Sequence, residues 1–466
     1  MAAAPAPTER TATLNARREL KMARSAHAYV RGSTERFYEW IRSPAGRAVP
    51  SGPEVWICGD CHVGNLGPIG HPRGKAVVEL RDLDQTVIGN PAHDVVRLVL
   101  SLAMAARSSD LPGVTTTRIT EDLVAGYERA FEGDVPSEAI DDLPSPIRLV
   151  MKRAVRRTWN RLFEERLGSG RRRIPIGRQF WRLADEERTA VRQLVALEPI
   201  RRLVTLLESR ADSATISFVD AAFWVKGCSS LGLWRAAILV EIADRSKKGQ
   251  KRRTLSLIDV KQAIEASAPW APGADPGLEP AERVLLGARK LAPALGGRMV
   301  AAKLLDRSVF VRELLPQDLK VELDRVSADD ARAVAFYLGM VVGRAHGRQL
   351  DAAGRRAWHR EMATHRTKNL DAPTWLWQAL VELVAVHEHA YLEHCRRYAL
   401  AADRASDPGA GMVVAAEPDV VPSVDGETSP ADAVSDPEAP IPEATSVSPL
   451  TPLLVPLDQP AAIGSE

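Results

Sequence analysis

The stretch from Trp56 to Leu98 constrains this chain more than any other, because short apolar runs alternate there with a dense set of acidic and amide side chains. Val55 to Cys58 and Ala76 to Leu80 have the length and composition of strands. The connector between them carries Asn65, Gly67, Pro68, Gly70, Pro72 and Gly74, the residue types of turns. The pattern predicts a hairpin of these two runs. Asp60, His62 and Asn65 follow the first run and Asp82 and Asp84 follow the second, so such a hairpin would gather both polar sets into one site. Beyond it, Val95, Val96, Leu98, Val99, Leu102 and Ala103 recur at helical spacing and predict a buried helix over 92–107.

Carboxylate and amide oxygens grouped in this way suit phosphoryl transfer, in which a protein orients a hydroxyl and holds magnesium against phosphate oxygens. In chain order, Asp60, Asn65 and Asp82 match the base, the metal-binding amide and the metal-binding carboxylate of a kinase catalytic loop and the strand end after it. Asp60 and His62 are therefore the candidate catalytic residues, and Asn65 and Asp82 the candidate magnesium ligands. The run from Asp82 to Asp94 resembles the aminoglycoside-phosphotransferase pattern, which implies that Asp94 braces the catalytic loop.

Further pieces fall in order along the chain: Lys21-Met22 with Ser25 to Gly32, Gly59 to Asn65, Val260 to Ala263, Glu282-Arg283-Val284 and Arg344-Ala345-His346. On these the chain from about Lys21 to about Gln349 resembles the bacterial domain-of-unknown-function 2252 family, a remote member of the protein-kinase-like superfamily with no settled biochemical role. The resemblance implies an α+β, two-lobed protein-kinase-like fold with extra helices. Runs over 217–263 alternate like strands, with Gly227, Ser229, Ser230 and Gly232 in the turn between the first two. A Gly-Ser turn is by itself only a turn, but Lys261 ends a strand one hairpin later, where kinases carry their phosphate-binding lysine. In this reading the glycine-rich loop and Lys261 contact ATP, Glu282 is the acidic partner of Lys261 with Glu279 as fallback, and Arg31 is a candidate phosphate contact. The catalytic loop precedes these parts, so the fold is expected to be circularly permuted.

The chain has 466 residues, 45% of them apolar, enough for a substantial core, and its formal net charge of +2 argues against a nucleic-acid partner. Four cysteines are too few for a disulfide framework. MAAAPAPTER lacks a signal-peptide pattern and no apolar run reaches ~18 residues, so the expected location is cytoplasmic, with no membrane partner. The expected organisation is a disordered N-terminus over 1–14, a helical lobe with the catalytic loop and metal residues over 15–215, and a nucleotide-binding β-rich lobe over 216–328. A helical part over 329–402 and a disordered acidic tail over 403–466 complete it.

The leading reading is an ATP- and magnesium-dependent phosphotransferase acting on an unknown small-molecule or protein hydroxyl, with nucleotidyl transfer left open. Leu83 and Asp84 after Asp82 depart from Asp-Phe-Gly, and Cys58 stands before Gly59 where phosphotransferases commonly have His. A non-catalytic nucleotide-binding scaffold is accordingly the alternative. A zinc or redox role for Cys58 and Cys61 ranks lower, since Cys228 and Cys395 stand apart without a second close pair. The basic segment over 148–182 reads as a solvated face before an anion site, and His387 and His394 as a packing face before a metal site.

Overall fold

The computed structural model describes residues 5–405 apart from 72–73, 110, 133–139, 169–172, 208–209, 211–212, 246–250, 322–326, 365 and 367–371. Beyond residue 405, the acidic tail expected from the sequence lies outside the described residues. Helices α1 (Arg10–Met22), α2 (Ala26–Gly32) and α3 (Thr34–Arg42) come first. The Ser25 hydroxyl accepts from the Ala28 amide and so starts α2 afresh. The expected disorder over 1–14 does not hold from Arg10 onward. Leu14 is buried in a cluster with Trp181 and Val191, and Arg10 pairs with Glu187, so tertiary contacts order a segment that local composition would leave loose.

Strands β1 (Val55–Ile57), β2 (Leu66–Gly70), β3 (Ala76–Leu80) and β4 (Val87–Gly89) form two antiparallel ribbons. Their pairing corrects the predicted hairpin: β1 pairs with β4, and β3 pairs with β2, which lies inside the stretch read as a turn-rich connector. Pro68 hid this strand, but each member of a two-stranded ribbon has one free edge where a missing N–H does no harm. On the far edge the Pro68 carbonyl accepts from the Leu319 amide and the Leu66 carbonyl from the Val321 amide. Helix α4 (Pro91–Ser108) follows, capped by Asn90 and buried around nearly its whole circumference, as its apolar composition requires.

Helices α5 (Gly113–Arg129), α6 (Ser145–Arg156) and α7 (Trp159–Leu167), strand β5 (Phe180–Trp181), and helices α8 (Asp185–Ala196) and α9 (Glu198–Thr205) lead into β6 (Thr215–Trp224), β7 (Arg235–Arg245) and β8 (Lys251–Gln262). After α10 (Pro280–Leu291) and α11 (Pro293–Gly296), β9 (Met299–Leu304) and β10 (Arg307–Glu313) complete an antiparallel six-stranded sheet of order β5-β6-β7-β8-β10-β9. Helices α12 (Ala328–Gly347), α13 (Ala352–Ala363) and α14 (Thr374–Ala405) end the described chain. The result is an α+β fold. No helix among the described residues is long and apolar enough to cross a membrane.

Alternation along the strands gives the sheet two buried faces. Ile238, Val240, Ile258 and Val260 pack against Val191, Leu194 and Leu203 of α8 and α9, while Ala237, Leu239 and Leu257 pack against Leu162 and Leu167 of α7. Residues 180–205, grouped with the helical part by sequence, thus pack on the sheet. An amphipathic stripe shows that a helix buries one face but not which surface covers it.

Below the sheet, α5 and α12 pack backbone to backbone through glycines. A Cβ on Gly126 would lie 1.9 Å from the Phe336 carbonyl oxygen, and one on Gly339 would lie 2.1 Å from that of Leu123. In an open helix Gly→Ala stabilises by about 1 kcal/mol, whereas here the helices must separate, and overpacking of this kind costs about 1–3 kcal/mol. Gly126→Ala is therefore expected to lower the urea midpoint, while Gly113→Ala, with no atom within 4 Å of the new methyl, leaves it unchanged or raises it. Equal midpoints for the two variants would contradict the close approach.

Candidate functional site

The loop after β1 is held from below by Asp94. One turn into α4, its Oδ2 accepts from the Cys58 amide at 2.7 Å and its Oδ1 from the Gly59 amide at 3.0 Å. His346 Nε2 lies 3.1 Å from the same Oδ2, its Nδ1 lies 2.9 Å from the Tyr127 hydroxyl, and Trp358 Nε1 donates to that hydroxyl at 3.0 Å. If Nε2 carries the proton, each group in this buried relay donates to the next: indole to phenol, phenol to imidazole, imidazole to carboxylate. Gly59 has φ +75°, and a Cβ there would lie 2.0 Å from the Gln85 carbonyl oxygen, so only glycine fits.

Asp60 points from this loop into buried surroundings, where Arg97 Nε and Nη2 approach its Oδ1 at 3.0 and 2.9 Å. Arg97 is fully buried on α4 and also donates to the Val30 carbonyl at 2.6 Å. Burial pushes the Asp60 carboxyl up, and Arg97 pulls against it. The other oxygen, Oδ2, lies 4.0 Å from His62 Nε2. Burial first, then the charges of Arg31 and Arg97, hold His62 well below the usual imidazole range, so it is neutral at pH 7. Asn65 Nδ2 donates to the Asp82 and Asp60 carbonyls at 2.6 and 3.3 Å. Its own Oδ1 accepts no hydrogen bond from the described residues and stays available.

Lys261 reaches the same place from the inner face of β8. Its ammonium lies 3.3 and 3.4 Å from the two Asp82 oxygens and still closer to Asp84. Asp82 is 54% exposed while Lys261 is only 4% exposed, so the pair spans from solvent to core. Desolvation would raise Asp82, but Lys261 outweighs it and holds this carboxyl well below the usual range. Burial and the neighbouring Asp82 charge push Asp84 up to about 7. Two carboxylates thus face one ammonium, and Asp84 Oδ1 is buried with no hydrogen-bond partner. An orphaned carboxylate oxygen beside an exposed carboxylate and a free amide oxygen is a donor set that fits magnesium, which takes one or two protein carboxylates and completes its shell with phosphate and water.

Asp60, His62, Asn65, Asp82, Asp84, Ser229 and Ser230 line one cleft. Gly227 and Gly232 adopt φ +113° and +114°, and the Gly227 carbonyl accepts from Lys21 Nζ at 3.2 Å. Arg31 packs against the loop after β1: a Cβ on Gly64 would lie 3.0 Å from Arg31 Nη2 and 3.3 Å from His62 Cε1. The Arg31 Nε is buried without a partner. Glu282 is not the partner of Lys261. It is exposed on α10 and acts on Lys303, which pairs with Glu279 at 2.8 Å, so the fallback is excluded as well. The phase of α10 turns Arg283 inward instead, where it donates to the Asp84 and Ile264 carbonyls at 2.8 Å each. Lys261 takes its acids from the loop after β3.

Sequence reasoning also missed Arg97, visible only as a charge inside an apolar helix, although a charged residue in such a place is a signal that a partner is buried with it. Cys58 and Cys61 are both buried, and burial pushes the Cys58 thiol well up. Among the described residues no group of three or more His, Cys, Asp or Glu is placed to hold a metal. His387 is buried with Nδ1 on the Leu383 carbonyl, and His394 lies against the Glu19 carbonyl, which are packing contacts of α14.

Asp94→Ala leaves two buried loop amides unpaired, and each costs roughly 1–3 kcal/mol. A clear drop in the urea midpoint is expected, and wild-type stability in this variant would refute the brace. The raised Asp84 carboxyl has a sign of its own. Because its folded pKa of about 7 lies above the unfolded value, the native state binds the extra proton. Its contribution is therefore full below the unfolded pKa and is lost as pH rises through about 7. The melting temperature of wild type minus that of Asp84→Asn should fall between pH 5 and pH 8, and a flat difference would contradict the assignment.

Comparison with known proteins gives one match. A family model described as an uncharacterized protein conserved in bacteria (DUF2252) covers residues 10–397. No curated protein and no solved structure matches the chain. The matched span takes in every residue of the cleft described above, and the chain belongs to this family of conserved bacterial proteins.

Proposed function

We propose that the protein is an ATP- and magnesium-dependent phosphotransferase with a circularly permuted protein-kinase-like fold, acting on a hydroxyl-bearing substrate. The observation that carries this reading is the convergence in one cleft of Asp60, Asn65 and Asp82, from the ribbons, with Lys261 and Ser229-Ser230, from the sheet. Lys261 and Asp82 stand 179 positions apart in sequence, so nothing local explains their meeting.

Arg97 fixes one oxygen of Asp60 and leaves the other to face the acceptor hydroxyl. As the hydroxyl oxygen bonds to the terminal phosphorus, its proton passes to Asp60. The bridging P–O bond breaks and its electron pair stays on the shortened phosphate chain. Asp82, Asp84 and the Asn65 amide oxygen hold magnesium, which supplies charge neutralisation along that chain. Lys261 then exchanges its carboxylate partners for phosphate oxygens, and Ser229 and Ser230 donate to them from above. Neutral His62 places no competing cation on the free oxygen of Asp60. Positioning and fixed charges supply most of the rate in such a site.

Calorimetric titration with magnesium-ATP tests the reading, with slow phosphate release to water as the measure of turnover. Asp60→Asn is expected to bind as wild type does and to lose about 10²–10⁴-fold in release. Asp82→Asn should weaken both, because it removes ground-state attraction for the metal. At a ligand concentration of 100 times Kd, wild type gains about 2.7 kcal/mol of stability. Binding without turnover in wild type would favour the scaffold alternative, and no binding would remove the basis of both.

A further inference from the structure

We infer that this cleft recognises its donor by the phosphate chain and not by a base, so that inorganic tripolyphosphate binds as nucleoside triphosphates do. The inference rests on the phosphotransferase reading and names the donor class of that same site.

Its first support is a surplus of positive charge along the inner face of the sheet. Lys226, immediately before Gly227, sits with its ammonium 4.1 Å from the centre of the Trp224 ring, and the same ring carries the Arg235 guanidinium at 5.0 Å. The charges that act on Lys226 are those of Arg235, Arg166 and Arg312, with Asp259 as the one acid among them. Asp259 is already committed, accepting from Arg235 at 2.7 and 2.5 Å and from Arg312 at 3.2 Å. Arg81, directly before Asp82, and Arg166, at the end of α7, each bury an Nε that has no partner, and neither makes an ion pair among the described residues. Desolvation and neighbouring cations lower Lys226 well below its usual range and Arg166 below its own. Arg81 and Arg166 make no ion pair among the described residues and Lys226 shares Asp259 with Arg235 and Arg312, so a chain of phosphates beside Lys261 would add counter-charge.

The second support is the fate of the surface where a base would lie. A base needs an open, flat, mostly apolar slot. On the face of β8 that carries Lys261, the next residue inward is Asp259, fully buried in its ion pairs, and the one after is Leu257. Leu257 and its neighbours Ala237 and Leu239 are covered by Leu162 and Leu167 of α7. Charge and then a packed helix occupy the positions before the lysine on this face, so the attraction offered to a donor there is electrostatic, while Leu233, Ala263 and Ile264 line the cleft on the other side of the lysine.

The experiment is calorimetry on the full chain with magnesium present, comparing tripolyphosphate, ATP, GTP, CTP and AMP. Tripolyphosphate and the three triphosphates are expected to agree within about threefold in Kd, with no binding of AMP at the same concentrations. Lys226→Met should weaken tripolyphosphate and ATP equally, by about tenfold or more. Arg166→Met, on a separate helix, should act in the same direction and serves if Lys226→Met does not fold. ATP bound more than about tenfold tighter than tripolyphosphate, or a comparable preference among bases, would overturn the inference and leave the phosphotransferase reading standing. Unchanged affinity in both variants would also overturn it. Failure of every ligand to bind would remove the reading beneath it.

Discussion

One carboxylate, that of Asp94, accepts from two consecutive amides of the loop after β1, and the geometry of the cleft follows from that contact. It fixes the turn at Gly59 and so the direction in which Asp60 leaves the loop. The relay through His346, Tyr127 and Trp358 makes the brace communal: α5, α12 and α13 each contribute one group to holding a single loop. Buried hydrogen bonds of this kind are modest as net contributions but expensive to leave unmade. Both sides of the network are therefore constrained, the carboxylate by its donors and the loop by its acceptor.

Charge is distributed across the cleft in opposite senses. Toward the ribbons, Asp82 and Asp84 outnumber Lys261, and an oxygen of Asp84 goes unused. Toward the sheet, Arg235 and Arg312 have absorbed Asp259, and Lys226 lacks an acid of its own. A cation suits the first side and an anion the second, which is the polarity of a metal–phosphate pair laid across the gap. Arg97 belongs to neither side. Sealed in the core, it pairs with one oxygen of Asp60 and leaves the other unpaired by it.

Much of this was legible in the residues. The helix over 92–107, the strand-like runs over 217–263 and the polar clusters after the short strands could be read from period and turn chemistry, because burial leaves a regular imprint. The failures share a physical origin. Strand partners are chosen by tertiary packing, so β1 found β4 in place of β3, and Pro68 concealed a strand whose free edge tolerates it. The partner of Lys261 could not be found from helix α10 because about 100° of helix phase separates Glu282 from Arg283, and only the packed helix shows which of them faces inward. Arg97 interrupted an apolar pattern and was readable as an exception, but its partner lay on another element.

The segment leaving β10 runs along the free edge of β2, with the Leu319 and Val321 amides on the Pro68 and Leu66 carbonyls. Asp318 adds the Gly70 amide at 3.0 Å and Arg298 at 3.0 Å, so the strand that begins directly after Asn65 is stitched to the exit of the sheet. Mechanically this is a seam along one side of the gap. The wall of the gap that carries Asn65 is thus tied to the sheet by main-chain hydrogen bonds as well as by the Asp318 side chain.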